Sequence, residues 1–168
     1  MKKLLVAAFL IVSTLCVAQN DTLTAQDKEN MEKGLKMLFD SKIDMDIDKS
    51  VFTMNEGNMY FTDDQKIGIV AMVVPQSFAK VKESMNKDKK KENMQLLDKG
   101  EISLNGQKVL FMKNQTEKEG KEYIILIYCK ENDADSSIMI TSFFEKSKES
   151  EIKPMAEKAI TSAKLVKE

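Results

Sequence analysis

The stretch Ile67-Gly68-Ile69-Val70-Ala71-Met72-Val73-Val74 decides the fold, because it contains no polar side chain. Successive side chains of a β-strand point to opposite faces of the sheet, so a strand with one wet face alternates apolar and polar residues. The stretch from Tyr123 to Cys129, Tyr-Ile-Ile-Leu-Ile-Tyr-Cys, is apolar on both faces in the same way. These two segments predict central strands of a sheet that must be covered on both sides.

Shorter extended segments surround these two strands. From Ile43 to Asp48 apolar residues alternate with aspartates, which indicates a half-buried strand. The pair Asn105-Gly106 between apolar residues is the strongest hairpin signal, since both positions of a type I′ turn need positive φ. The other strands are predicted, in chain order, at Val51 to Met54, Asn58 to Phe61, Met94 to Leu104, Glu122 to Glu131 and Ser137 to Phe144.

Three segments have the apolar spacing of helices. They run from Leu23 to Phe39, from Gln76 to about Glu92, and from about Ser150 to about Ala163. In the last helix Ser150 is the candidate N-cap, and Pro154 fits only near the first turn. Its predicted buried stripe consists of Ile152, Met155, Ala156, Ala159, Ile160 and Ala163. Three helices around one mostly antiparallel sheet predict an α+β domain, a three-layer α/β/α sandwich.

The first 18 residues have the pattern of a secretory signal peptide. Two lysines precede the apolar run Leu4 to Leu15, and small residues precede a cleavage point between Ala18 and Gln19. We expect residues 19–168 to form one domain in the periplasm or outside the cell. Two alternatives stay open. One is a transmembrane anchor, for which the apolar run is short. The other is a lipoprotein acylated at Cys16, although Leu15 does not fit the lipoprotein pattern.

Composition excludes several function classes. The chain has no His and no Trp, and its 26 basic residues are all Lys. Without imidazole there is no Ser-His or Cys-His nucleophile pair and no ordinary zinc site. Without the guanidinium fork and with a net charge of −1, the sequence does not predict a nucleic-acid partner. The Arg-free, Lys-rich composition makes us expect a bacterial source, and Cys129 reads as a buried, inert thiol.

Two acidic clusters have a spacing that also occurs in calcium-binding loops. Asp44, Asp46 and Asp48 alternate along the chain, but Lys49 stands where a calcium loop needs Gly and Asn55 where it needs Glu. Glu131, Asp133 and Asp135 repeat the spacing without the Gly and Glu that complete such a loop. We interpret the first cluster as a solvated strand face and the second as a hairpin loop.

Three other features have structural explanations. The lysine-rich run from Lys87 to Lys91 could meet an anionic surface, but acidic neighbours favour a solvated helix end. The 12 methionines are scattered and lack a copper-binding pattern, so we interpret them as core residues. Tyr60, Tyr123 and Tyr128 with the carboxylates are the acid or base groups left to an enzyme near neutral pH, apart from a buried Lys.

The order of elements resembles the PsbP-like fold over roughly Val51 to Leu165. The shared features are an amphipathic helix after Pro75, the Ile-x-Leu-Asn-Gly turn ending at Gly106, two long strands around an acidic loop, and a closing helix that leads into Ser-Ala-Lys-Leu165. The PsbP-like group includes an extrinsic photosystem subunit, a Ran-binding nuclear import factor and small exported bacterial proteins. The resemblance implies a fold and no shared activity, so it carries over no catalytic residue.

The sequence therefore favours an exported, non-enzymatic binding or accessory domain. We expect a protein or a cell-envelope component as its partner, with no catalytic residue, no cofactor and no metal. The alternative is a carboxylate-dependent hydrolase that acts on an extracytoplasmic substrate such as a glycan. A pair of carboxylates converging in a deep pocket would favour the hydrolase.

Overall fold

The computed structural model describes residues 41–87 and 94–166. Within these ranges the chain forms strands, two α-helices and a short 3-10 helix at Lys146–Lys148. The helices are α1 (Phe78–Asn86) and α2 (Glu149–Ser162). The strands are β1 (Ile43–Asp44), β2 (Met54–Glu56), β3 (Met59–Phe61), β4 (Gly68–Val74), β5 (Gln95–Leu104), β6 (Gln107–Lys118), β7 (Lys121–Glu131), β8 (Ser137–Glu145) and β9 (Lys164–Leu165).

Seven of these strands form one antiparallel sheet in the order β2-β3-β4-β8-β7-β6-β5. The two strands that the sequence predicts to be central, β4 and β7, both lie beside β8 in the middle of this sheet. Strands β1 and β9 form a separate two-stranded sheet, also antiparallel. The predicted α+β class and the antiparallel character of the sheet are confirmed.

Two tight turns connect the long strands β5, β6 and β7. Asn105 and Gly106 have φ values of 50° and 78°, which confirms the predicted hairpin. Glu119 and Gly120 form the second turn, with φ values of 55° and 73°. This second turn carries no strong sequence signal, because Glu is not among the residues that favour positive φ.

The main hydrophobic core lies between α2 and one face of the sheet. Ile152, Ala156, Ala159 and Ile160 of α2 are fully buried, which confirms the predicted stripe of the closing helix. The sheet side of this cluster consists of alternate residues of the central strands: Ile69, Ala71 and Val73 from β4, Ile138, Ile140 and Phe144 from β8, Ile124, Leu126 and Tyr128 from β7, and Val109 from β6.

Cys129 belongs to the other set of alternate residues on β7. It is fully buried, and burial raises the pKa of its thiol to about 12. The strand register aligns Cys129 with Leu110 on β6 and Met139 on β8. Helix α1, whose Val81 and Met85 are buried, contacts the same strand β7. The predicted burial of this cysteine inside a central strand is confirmed.

Gly68 starts β4 at a place where no side chain fits. A Cβ atom at this position would lie 2.5 Å from the Phe143 ring and 2.7 Å from the Phe61 ring. The two rings are tilted by 50° with their centroids 6.1 Å apart, on the strands that flank Gly68. The missing side chain therefore lets two aromatic rings cover the backbone of β4.

Three predicted element boundaries are wrong. Helix α1 ends at Asn86 and Lys87 has extended backbone, although the sequence predicts a helix to about Glu92. The segment Val51 to Met54 is predicted as a strand, but the strand begins only at Met54. Before it, the Val51 and Phe52 amides donate to the Asp48 carbonyl and close a turn. Strand β1 is also shorter than the alternating pattern, although Ile43 and Met45 are buried as that pattern predicts.

The closing helix begins within one residue of the predicted Ser150, but the predicted N-cap is wrong. Helix α2 begins at Glu149 directly after the 3-10 helix, so Ser150 lies inside it and is not the N-cap. Pro154 lies beyond the first turn, where it has no N–H to donate to the Ser150 carbonyl. Ser150 is exposed, so water can reach that carbonyl.

Several predictions fall outside the described residues. They are the signal segment 1–18 with Cys16 and the helix from Leu23 to Phe39. The three-layer sandwich required this helix as one of its three, so that arrangement stays a prediction.

Candidate functional site

A cleft of about 380 Å³ opens at the end of the sheet where β6 begins and β7 ends. These two strand ends meet because β6 and β7 are antiparallel, with Val109 opposite Lys130. The first residue of α1 contributes an aromatic wall. The cleft is lined by Phe78, Gln107, Lys108, Lys130 and Glu131. Side chains alternate along a strand, so Lys108 and Glu131 share a face of the sheet with Cys129, whereas Gln107 and Lys130 share the opposite face with Tyr128 and α2.

Lys130 is unusual for a lysine, because the residue is only 9% exposed. Its Nζ donates to Gln107 Oε1 at 3.5 Å and to the Thr161 carbonyl at 3.3 Å. Thr161 lies in the last turn of α2, where the helix dipole favours a positive charge. Burial, and secondarily the nearby Lys164, lowers the pKa of Lys130.

The oxygen atoms that receive these two hydrogen bonds are both neutral. A Lys ammonium has three N–H donors, and burial of a charged group is costly when no opposite charge lies nearby. Among the ion pairs formed by the described residues, none includes Lys130. Lys130 is therefore a nearly buried cation whose two hydrogen-bond acceptors are neutral.

The first acidic cluster is spread over separate contacts. Asp46 pairs with Lys158 of α2 at 2.8 Å. Asp48 accepts hydrogen bonds from the backbone and side chain of Ser50, which lower the pKa of Asp48. Asp44 is exposed. The solvated strand face that the sequence predicts therefore contains one surface ion pair and one turn residue.

The second acidic cluster shapes the loop between β7 and β8. Asp133 accepts from the Asp135 amide at 3.0 Å, and hydrogen bonds led by Ser136 lower the pKa of Asp133. Asn132 also donates to Asp133 and to Ser136. Glu131 lies apart, in the cleft. This hairpin connection agrees with the interpretation made from the sequence.

The remaining candidate groups have structural contacts. Tyr128 is buried and donates to Glu157 Oε1 at 3.0 Å, and its burial raises the pKa of the hydroxyl. Tyr60 and Tyr123 are half-buried. Lys87 pairs with Glu83 at 3.2 Å, and the rest of the predicted lysine run lies outside the described residues. In residues 41–87 and 94–166, no group of three or more His, Cys, Asp or Glu side chains is placed to hold a metal ion.

Lys130 and Gln107 were not among the candidate residues predicted from the sequence. One signal was present, since Lys130 continues the row of Leu126 and Tyr128, whose side chains face α2. A Lys at that position is either the solvated end of a strand or a buried cation. Only the contact with the last turn of α2 distinguishes the two.

Solved structures resemble this chain, whereas no protein-family model and no curated protein matches it. The crystal structure of LpqN, involved in cell envelope biogenesis of Mycobacterium tuberculosis, matches with a TM-score of 0.53 and 14% identity over 76% of this chain and 84% of LpqN. The solution structure of cyanobacterial PsbP (CyanoP) from Synechocystis sp. PCC 6803 matches with a TM-score of 0.45 and 7% identity over 74% of this chain and 93% of CyanoP.

These matches concern the fold. LpqN has a PsbP-like fold, and its match supports the PsbP-like fold predicted from the order of elements. At 14% identity the likeness shows the fold alone. Separately, none of the helices in the described part of the chain is long and apolar enough to cross a membrane.

Proposed function

We propose that this chain is an exported, non-catalytic binding or accessory domain of the cell envelope. The signal pattern of residues 1–18 supports export, and LpqN, which shares the fold, is a protein of cell envelope biogenesis. The mature domain starts at Gln19 in this proposal, with acylation at Cys16 as the alternative. A helix at Leu23 to Phe39 would complete the three-layer sandwich.

The composition of the cleft is the observation that carries the binding role. A carboxylate-dependent hydrolase needs two carboxylates that flank one bond, separated by about 5 to 9.5 Å. Glu131 is the one carboxylate among the residues that line the described cleft, and two lysines accompany it. Glu149 and Glu157, the half-buried carboxylates near Tyr128, are each paired with a lysine. These charges suit recognition of a partner better than hydrolysis.

Site-specific crosslinking in the intact source cell tests this proposal. A photoreactive amino acid at Gln107, in the cleft, should give a discrete covalent adduct in the envelope fraction. The matched control is Glu117, which is exposed at the other end of β6. Equal labelling from both positions, or a protein confined to the cytoplasm, would contradict the proposal.

The mass of the protein from the envelope fraction tests its processing. A chain beginning at Gln19 supports cleavage after Ala18. An acylated chain beginning at Cys16 would replace the released form by a lipoprotein. An uncleaved chain would remove the support that the signal pattern gives to export.

A further inference from the structure

Strand β5 ends the seven-stranded sheet, so within the described part of the chain its outer edge has no neighbouring strand. In a hairpin with a two-residue turn, the residues that flank the turn, here Leu104 and Gln107, form a hydrogen-bonded pair, and such pairs alternate along the strands. Glu101 and Ser103, both exposed, fall between these pairs. Their backbone N–H and C=O groups therefore point away from β6, where they can bond a further strand.

The two halves of β5 differ in how well they can pair with a further strand. Sheet edges in proteins are commonly blunted by charges and β-bulges. The first half has both, since Asp98 and Lys99 are charged and the register with β6 shifts just before Asp98. The second half, Gly100 to Leu104, pairs with β6 without interruption, and its charged residue, Glu101, contacts Lys82 at 2.7 Å. The second half is therefore the part of the edge that is suited to pairing.

Apolar side chains on one face of this half extend beyond α2. The helix packs on β7 and β8, whereas Ile102 and Leu104 of β5 and Phe111 of β6 are partly buried against the same core. Gly100 has no side chain, and the Phe111 ring lies over it, since a Cβ atom there would be 3.2 Å from the ring. The α2 face of the sheet thus carries an apolar strip that reaches the outer edge of β5, and covering this strip would be favourable.

The order of side chains makes this half of β5 complementary to a second copy of itself. When two such strands pair antiparallel across a two-fold axis at Ile102, Glu101 lies opposite Ser103 of the second copy, and their outward backbone groups exchange hydrogen bonds. On the α2 face, Ile102 meets its own counterpart. Leu104 lies opposite Gly100 of the second copy, where it can contact the aromatic ring that covers this glycine.

Other positions of the two-fold axis give poorer pairs. An axis at Glu101 places two like charges opposite each other, which destabilises a strand pair. An axis at Gly100 places the charged Asp98 opposite the apolar Ile102. An axis at Ser103 shortens the overlap, because the turn follows at once. The axis at Ile102 is therefore the favoured one.

We propose that two copies of this chain associate through β5, with the segment from Gly100 to Leu104 antiparallel to the same segment of the second copy. The two seven-stranded sheets then form one continuous sheet, and the apolar strips of the two α2 faces become adjacent. Because the overlap is short, the dimer should dissociate readily on dilution. This contact lies outside the cleft that carries the proposed function.

Sedimentation equilibrium of the purified protein over a range of concentrations tests the contact. We expect a reversible equilibrium between monomer and dimer, because a two-fold contact is closed and does not lead to larger assemblies. A protein that stays monomeric up to about 1 mM would overturn the inference. Assemblies that keep growing with concentration would also contradict it.

Single cysteines report the register of the pair. Oxidation should link Ile102→Cys to its counterpart, because opposite residues of a non-hydrogen-bonded pair have Cα atoms about 4.5 Å apart, within the range of a disulfide. The matched controls are Glu101→Cys and Ser103→Cys, which are more exposed positions that do not face their own counterparts. Cys129 is buried, so it should not compete. Equal or faster linkage of either control would refute the axis at Ile102.

Charge variants locate the contact. Ile102→Lys removes an apolar contact and places two like charges opposite each other, so it should raise the Kd of the dimer by at least about tenfold. The matched control is Leu97→Lys, at a leucine that is 39% exposed in the same strand but outside the overlap, and it should leave the Kd unchanged. If Ile102→Lys does not fold, Ser103→Pro gives the same test, since it removes an N–H that points to the outer edge and does not bond β6.

Contrary results from these variants have separate meanings. Equal weakening by Leu97→Lys would reduce the contact to nonspecific apolar association. Unchanged affinity in both Ile102→Lys and Ser103→Pro would remove β5 from the contact. If the protein is monomeric but the crosslink from Gln107 persists, the dimer fails and the proposed binding role stands.

Discussion

The two ends of α2 meet the sheet through lysines that are stabilised in opposite ways. At the N-terminal end, Lys113 of β6 contacts Glu149 at 2.5 Å, with the two side chains 26% and 27% exposed. At the C-terminal end, Lys130 of β7 is more deeply buried and donates to neutral oxygens. The first end is therefore closed by a protein ion pair, whereas the second holds a nearly buried cation between neutral oxygens.

The helix dipole supports both arrangements. Negative charge is favourable at the start of a helix and positive charge at its end. Glu149 is the first residue of α2, and Lys130 contacts its last turn. Both ends therefore complement the dipole, and they differ in whether the protein itself neutralises the lysine.

The largest expected effect comes from disrupting the packing of α2 against the sheet. Ile160→Asp places a charge in the fully buried stripe of α2 and should lower the free energy of unfolding by about 3 to 5 kcal/mol. Urea unfolding measures this loss. The control is Ser150→Asp on the exposed side of the same helix, where the dipole favours the new charge. Equal stability of the two variants would mean that the stripe is not part of the core.

An intermediate effect is expected at the N-terminal end. Lys113→Met or Glu149→Gln alone leaves a partner that is about a quarter exposed, and should cost about 1 to 2 kcal/mol. The double variant should recover part of that loss, which gives a coupling energy of about 1 kcal/mol. Additive losses would show that the pair contributes no specific interaction and would weaken the contrast between the two ends.

A small effect is expected at the C-terminal end. Lys130→Met removes a buried charge along with two hydrogen bonds to neutral oxygens, so the unfolding free energy should change by less than about 1 kcal/mol or increase. Thermal and urea unfolding of Lys130→Met and Lys113→Met, each compared with the wild type, measure this change. A larger loss of unfolding free energy than that of Lys113→Met would mean that Lys130 stabilises the fold as Lys113 does.

The smallest effect is a pH dependence. The folded pKa of Lys130 lies below 10.5, its ordinary value. Between the folded pKa and 10.5 the unfolded chain binds more protons than the folded chain, so wild-type stability relative to Lys130→Met should rise with pH. Below the folded pKa the difference should stay constant. Urea titrations of both proteins from neutral pH to about pH 10.5 measure it, and a relative fall would reverse the sign derived from burial.

Local patterns in the sequence predicted the parts of the fold that depend on neighbouring residues. The two-sided apolar strands containing Val73 and Leu126, the turn at Gly106 and the stripe around Ile160 all follow from spacing alone. The N-cap of α2 did not, because an acidic first turn after a 3-10 helix replaces the side-chain cap that Ser150 suggested.

The candidate site depended on contacts that spacing does not encode. Phe78, Gln107 and Lys130 come together only when β6, β7 and α1 are assembled. Whether Lys130 is solvated or buried depends on the last turn of α2, which follows it by about 30 residues in the sequence. The acidic clusters, by contrast, make mostly local contacts, and the sequence interpretation of them agrees with the structure.

The position of β4 in the sheet has a consequence for biosynthesis. Strands β5 to β8 can pair with their neighbours in the chain as each is completed, through short connections. Strand β4 pairs on one side with β8, so Gly68 can pair with Phe143 only after β8 has been synthesised. One edge of a strongly apolar strand therefore stays unpaired while residues 75–143 are synthesised, when strand edges are prone to aggregation. We expect the growing chain to need a holding chaperone until β8 is complete.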